Sequence, residues 1–201
     1  MRIYDNQLSY ILFYNVCSQT VITKLKGAIR MNAGKTMYGY HEWAIQSMLG
    51  HLSGLPKDVL NNEVKSSYPS IAKTLSHILA VDTMWIHILE RVEFQQALQD
   101  AMSQLPLTDV YTIEEFKSAF KNVATKYQNF LNENSDLTVT LDVNNPWSGS
   151  RETIFEEILL HVSNHGTYHL GNITTMLRQQ NETSLMMDYS LFWYEDTTVT
   201  F

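Results

Sequence analysis

The sequence predicts an all-α protein, a four-helix bundle, and three observations predict it. Four stretches repeat their apolar residues at the i, i+3, i+4 spacing of a buried helix face. Capping and stop residues stand at their boundaries. Only four prolines and eight glycines interrupt the 201 residues. The bundle is assigned to residues 31–201, with residues 1–30 as an N-terminal extension and a C-terminal segment packed on the bundle.

The first helix is expected from Tyr38 to Leu52, where Trp43, Ile45, Met48, Leu49 and Leu52 recur at helical spacing and Gly54 and Pro56 supply a stop. Pro69 and Ser70 open the second, with Ser70 as N-cap. Ile71, Leu75, Ile78, Leu79, Trp85, Ile86 and Leu89 form its broad apolar stripe, and the pattern reads on to about Met102. Pro106 breaks that pattern. Thr112 followed by Glu115 has the form of a capping box, and Phe116, Phe120, Val123, Tyr127 and Phe130 or Leu131 give the third helix its core face. Leu137 to Val143 alternates apolar and polar residues, which predicts an extended segment in a loop or small hairpin, closed by Asn144, Asn145, Pro146 and Gly149. The fourth helix is expected from about Arg151 to Gln180 on Ile154, Ile158, Val162, Ile173, Met176 and Leu177, with Asn181 as its C-terminal cap.

The two ends read differently. Leu185 to Phe201 holds Tyr189, Phe192, Trp193 and Tyr194, too apolar for a free tail and expected to lie across one end of the bundle. Residues 1–30 are rich in aromatics without a sustained period and then carry Lys24, Lys26 and Arg30. Two readings stand side by side: an extra helix or strand packed on the bundle, or an upstream extension with Met31 as the natural start.

Bulk composition excludes several function classes. With 44% hydrophobic and 17% charged residues the chain has the composition of a globular domain. Lys and Arg number 14 against 21 Asp and Glu, a formal net charge of -7, and no basic run could follow a phosphate backbone, so nucleic acid is not an expected partner. The single cysteine, Cys17, cannot form an intrachain disulfide, which fits a reducing compartment and a cytoplasmic location. Leu8 to Val16 is too short and too interrupted to span a bilayer, which takes about 20 apolar residues, and it lacks the features of a cleaved signal. The expected protein is soluble.

The chemistry concentrates on the fourth helix. His161, His165 and His169 follow one another at intervals of four, each about 40° further round, so all three share one face. An i, i+4 histidine pair is a ready chelate, and neutral imidazole suits zinc, nickel, copper or ferrous iron. On the second helix His77 lies in the inward arc of Thr74, Ile78, Val81, Met84 and Trp85, where a histidine needs a polar partner. A lone inward histidine ordinarily bonds a carbonyl. Taken with the pair on a facing helix, a shared divalent transition metal is the stronger reading.

The other histidines and acids divide differently. His161 reads either as a proton carrier or outer-sphere group, or as a packed helix residue. Glu157, one turn before it, reads as an outer-sphere partner or, more simply, as part of an acidic helix start with Glu152 and Glu156. His41 precedes Glu42, but Ile45 stands where a zinc-protease HExxH motif needs histidine. His51 is explained by the helix dipole at the end of the first helix, and His87 by surface position.

The string His77-Ile-Leu-Ala-Val-Asp82 with Trp85, and the later Asn164-His165-Gly-Thr-Tyr-His169-Leu-Gly-Asn with Met176-Leu-Arg-Gln, resemble the DinB family of the DinB/YfiT-like metalloprotein superfamily, over roughly residues 38 to 193. The resemblance implies an up-down-down-up four-helix bundle, commonly a homodimer, with a metal held by one histidine of the second helix and two of the last. On this chain those are His77, His165 and His169. It further implies a divalent transition metal, zinc or nickel first and iron or manganese after them, and a small-molecule substrate such as a low-molecular-weight thiol of the bacillithiol or mycothiol kind. The family has Arg then Gly-Gln after its last ligand, where this chain has Leu170-Gly171-Asn172, so a cationic substrate contact there is missing.

Three neutral ligands leave a coordination position open, as in catalytic rather than closed structural sites. A metal there lowers the pKa of a bound water or thiol and polarises an electrophile. Two functions follow: a metal-dependent enzyme, either a thiol S-transferase or a hydrolase, or a non-catalytic metal-binding bundle acting in stress.

Overall fold

Helix α1 spans Ala33–Ser53, a 3₁₀ turn follows at Lys57–Leu60, and three further long helices come in order: α2 Ile71–Leu89, α3 Phe94–Thr108 and α4 Ile113–Glu133. A hairpin of β1 Thr140–Asn145 and β2 Gly149–Ile154 leads into α5 Phe155–Gln179, and a single turn, α6 Tyr189–Phe192, closes the path. These elements come from a computed structural model that describes residues 32–195. Both readings of residues 1–30, and the last residues of the C-terminal segment, fall outside the described residues. The described residues from Gly34 onward form one compact unit; of the other, Met1–Ala33, only Asn32 and Ala33 are described.

Side-chain pairings give the helix directions. Thr74 meets Met176, His77 meets His165 and Trp85 meets His161, so α5 runs antiparallel to α2. Helix α3 folds back along α2, with Phe94 against Trp85, Thr108 hydrogen-bonded to Ser76 and Asp109 paired with Lys73. The chain thereby returns to the start of α2, and α4 runs in the same direction as α2. Helix α1 starts beside Glu156 at Gly34 and passes Gly166 at His41, so it runs parallel to α5. The bundle of α1, α2, α4 and α5 is therefore up-down-down-up, as expected, with α3 laid on its outside.

The expected core faces are buried. Ile45, Met48, Leu49 and Leu52 of α1, Ile71, Leu75, Ile78, Ile86 and Leu89 of α2, Phe116, Phe120, Tyr127 and Phe130 of α4, and Ile158, Val162, Ile173, Met176 and Leu177 of α5 meet in one cluster. Each contributes about 1.5–3 kcal/mol on leaving water. Trp43, Trp85 and Ile154, which share the same periodicities, stay only partly covered.

The first helix begins at Ala33, five residues before the expected Tyr38, and three other boundaries differ from expectation, each for a local reason. The second helix stops at Leu89 instead of running to Met102. Arg91 adopts φ 69°, the Val92 N–H reaches the His87 carbonyl at 2.9 Å and the Arg91 N–H reaches Ile88 at 3.0 Å, the paired bonds of a Schellman stop. A non-glycine rarely takes this conformation; here the Arg91 guanidinium is held by the Thr140 carbonyl at 3.1 Å and lies 5.1 Å over the Phe155 ring. The Glu93 carboxylate then caps a new helix by accepting from the Gln95 and Gln96 amides. Pro106 does not break the helix where it stands but lies inside α3, two residues before its end at Thr108, so the bond it cannot donate is confined to the last turn. Residues 151–154 form β2 instead of the first turn of the last helix, because Arg151, Glu152 and Thr153 pair with Val143, Asp142 and Leu141.

Other punctuation is where it was expected. Ser70 caps α2, accepting from the Lys73 amide. The Thr112–Glu115 capping box opens α4. Asn181 ends α5 at φ 60°, with the Glu182 N–H returning to Leu177. The C-terminal segment packs on α1 through Tyr189 and Phe192 against Tyr40 and Phe192 against Trp43. Among the described residues no helix is long and apolar enough to cross a membrane. Thr112→Ala should remove the bond that the Thr112 hydroxyl accepts from the Glu115 N–H, leave the backbone N–H of residue 112 on the Glu115 carboxylate, and lower stability by about 1 kcal/mol, read as a lower urea midpoint at unchanged m-value.

Candidate metal centre

Antiparallel packing of α2 on α5 puts His77 opposite the i, i+4 pair of His165 and His169. The Nε2 atoms of His77 and His165 lie 3.0 Å apart, and ring centroids are separated by 4.9 Å for His77–His165, 4.7 Å for His77–His169 and 4.5 Å for His165–His169. One nitrogen from each residue falls within 4.8 Å of the others, the grouping that one ion requires. His77 and His165 are half-buried and His169 is buried.

Electrostatics keep this set neutral. Burial, and then His169, push His77 down to about 4. Burial, and then His169, His77, His161 and His41, push His165 down to about 3. Burial lowers His169 as well. Clustered in a poorly solvated seam, the rings resist protonation and keep their lone pairs at neutral pH, the form a metal ligand must have. The buried Nδ1 atoms of His165 and His169 find no protein hydrogen-bond partner. Buried polar atoms are normally satisfied, so orphan nitrogens on two of the three clustered rings fit residues arranged for a group other than protein.

Aromatic side chains wall the site. Tyr68, in the loop before α2, stacks on His77 at 4.7 Å and 29°, and Tyr168 stands edge-on to His169 at 4.9 Å. A surface groove lined by His161, Asn164, His165, Thr167 and Tyr168 gives access from solvent. Tyr68 escaped sequence reasoning because the loop carries no periodic signal. Tyr168 lay inside the quoted motif but pointed to nothing by itself.

The remaining candidates separate cleanly. His161 packs edge-on against Trp85 at 5.0 Å, its ring 6.2 Å from that of His165, and it is not in the three-nitrogen group. Glu157 is exposed and turned to the hairpin, bonded to Arg151 at 2.9 Å and to Thr153, which removes it from the outer sphere of the site. His51 does end α1, and its Nε2 also reaches the Thr183 carbonyl at 2.7 Å. His87 is half-buried, 3.3 Å from the Lys126 amine, rather than free on the surface. Leu170 turns into the core.

Folding depresses the proton affinity of these rings below that of the unfolded chain, where histidine titrates near 6.5. Between that value and about 3 the unfolded state binds more protons, so stability is fully present above pH 6.5 and falls as pH drops. Urea titrations of the chelator-treated protein from pH 7.5 to 4.5 should show this decline, and His165→Asn should flatten it; an equal slope in the variant would assign the decline to other groups.

A sequence model described as "DinB family" matches residues 30–198. The chain is 38% identical over 162 residues to Protein DinB of Bacillus subtilis (strain 168), covering 81% of this chain and 94% of that protein. Among solved structures, a DinB-like protein from Bacillus cereus ATCC 10987 superposes with a TM-score of 0.55 at 18% identity, over 74% of this chain and 91% of the other, a likeness of fold.

Proposed function

The chain belongs to the DinB family, and from that premise we propose that it is a divalent-metal-binding protein whose ligands are His77, His165 and His169 and whose open coordination position serves a metal-dependent reaction. The observation that carries the reading is the convergence of three neutral imidazoles from two facing helices into one cluster. The donor set is all nitrogen, which favours zinc or nickel, with iron or manganese as weaker fits.

When bound, the metal supplies Lewis acidity, making a thiol or water a nucleophile at neutral pH. The chain supplies the surroundings. Tyr68 stacked on His77 and Tyr168 beside His169 restrict ring rotation and shield one side from water. The groove at His165 leaves the other side open to a small molecule, with Asn164 and Thr167 as its polar contacts. With Leu170 buried where the family carries arginine, a cation from that position does not orient the substrate. The reaction classes that fit are S-transfer from a low-molecular-weight thiol and hydrolysis, in a homodimer within the cytoplasm.

Protein purified without metal and loaded with zinc or nickel should take up one ion per chain and conjugate a thiol to a model electrophile or cleave a model ester. His165→Ala should lose both the ion and the turnover. Tight stoichiometric binding without turnover across thiols and esters would make the chain a metal-binding protein without catalysis. Failure of the wild type to bind either metal above background would refute the reading.

A further inference from the structure

Behind the histidine cluster lies a second pair that the proposed chemistry does not use. His41 of α1 donates from Nε2 to the Asp82 carboxylate of α2 at 2.8 Å, and each residue is only 2% exposed. The other edge of the His41 ring rests on α5 at Gly166, so closely that a Cβ there would collide with Nδ1 and Cε1. Tyr127 of α4 donates to the Asp82 carbonyl at 2.9 Å, and Tyr38 stacks on Tyr127 at 4.2 Å while touching the His41 ring. One layer thus ties all four bundle helices through polar and aromatic contacts at a single level.

Its position relative to the cluster is specific. Gly166 directly follows His165, and Asp82 lies five residues beyond His77 on the same helix. The His41 ring is therefore clamped between the two helices that carry the proposed ligands. Its thickness sets how closely α2 and α5 approach, and its bond to Asp82 fixes where along α2 that spacing applies. Neither function requires an imidazole–carboxylate pair for packing alone, since burying such groups is costly and an apolar pair of the same volume would fill the space.

We infer that His41, Asp82 and the notch at Gly166 form a positioning device that holds His77 and His165 at metal-binding separation. It rests on the metal reading above. Gly166→Ala closes the notch, pushes the His41 ring away and spreads α2 from α5. Asp82→Ala frees the ring, whereas Asp82→Asn retains an oxygen to accept the His41 bond.

The test uses cobalt(II) binding by the full chain, followed by visible ligand-field absorption, beside thermal melting of the metal-free protein. Asp82→Ala should bind cobalt about tenfold or more weakly with an altered band, and Asp82→Asn should recover most of the affinity, the scale of loss known for outer-sphere partners. Gly166→Ala should lose affinity similarly and decides the matter if Asp82→Ala does not fold, the melting of its metal-free form separating loss of the notch from general destabilisation. Metal-free crystals should show the His77–His165 Nε2 separation widened beyond 3.0 Å in Asp82→Ala and Gly166→Ala. Folded variants with wild-type affinity, band and separation would overturn the positioning role while leaving the metal reading intact. A wild type that binds no cobalt would remove the metal reading, and an unchanged crystal separation would then sink the positioning role by itself.

Discussion

The structure depends on one constraint: three imidazole rings must share a half-buried seam between antiparallel helices without any of them taking up the second proton that would make it a cation. Desolvation disfavours the charged form of each ring, and each ring's charge would disfavour the others. A cluster of this kind contributes little to stability and loses ground in acid. Retaining it makes physical sense where another group completes it.

The bundle is arranged to bring the seam about. α2 is the hub, contacting α3, α4 and α5, and its inward histidine is placed by the same periodicity that buries Ile78 and Leu75. The return of α3 forces α4 to run parallel to α2, so that the hairpin delivers α5 from the far end and its histidine pair meets His77 head on. Helix α1 runs alongside α5 and contributes no nitrogen to the cluster. Its role is to support from behind, through His41, Tyr38 and the buried faces of Met48 and Leu49.

Most of this was legible in the residues, because the signals are local. Helical periodicity located the four bundle helices, Ser70, Thr112 with Glu115, and Asn181 marked ends by their side-chain chemistry, and the His165–His169 spacing needed only the pitch of a helix. What was hidden depends on contacts distant in sequence. The stop at Arg91 uses a left-handed residue that is neither glycine nor asparagine and is held by Thr140 and Phe155, far along the chain. The His41–Asp82 pair has no spacing signature, since 41 residues separate its members. Gly166 was the one available hint: a glycine inside a helix, between two candidate ligands, suggests close approach by something. For Glu157 the simpler reading holds, an exposed acid in the first turn of the last helix, while its pairing with an arginine on the neighbouring hairpin has no local signal.

The family match spans residues 30–198, and within that span packing gathers His77, His165 and His169 into one cluster. The most direct measurement is anomalous diffraction from a zinc-loaded crystal, recorded on both sides of the zinc absorption edge. The account predicts one strong difference peak per chain, within bonding reach of nitrogens from His77, His165 and His169 and open toward the groove at Tyr168. A peak lodged elsewhere, or a cluster free of anomalous signal in protein shown to carry zinc, would contradict it.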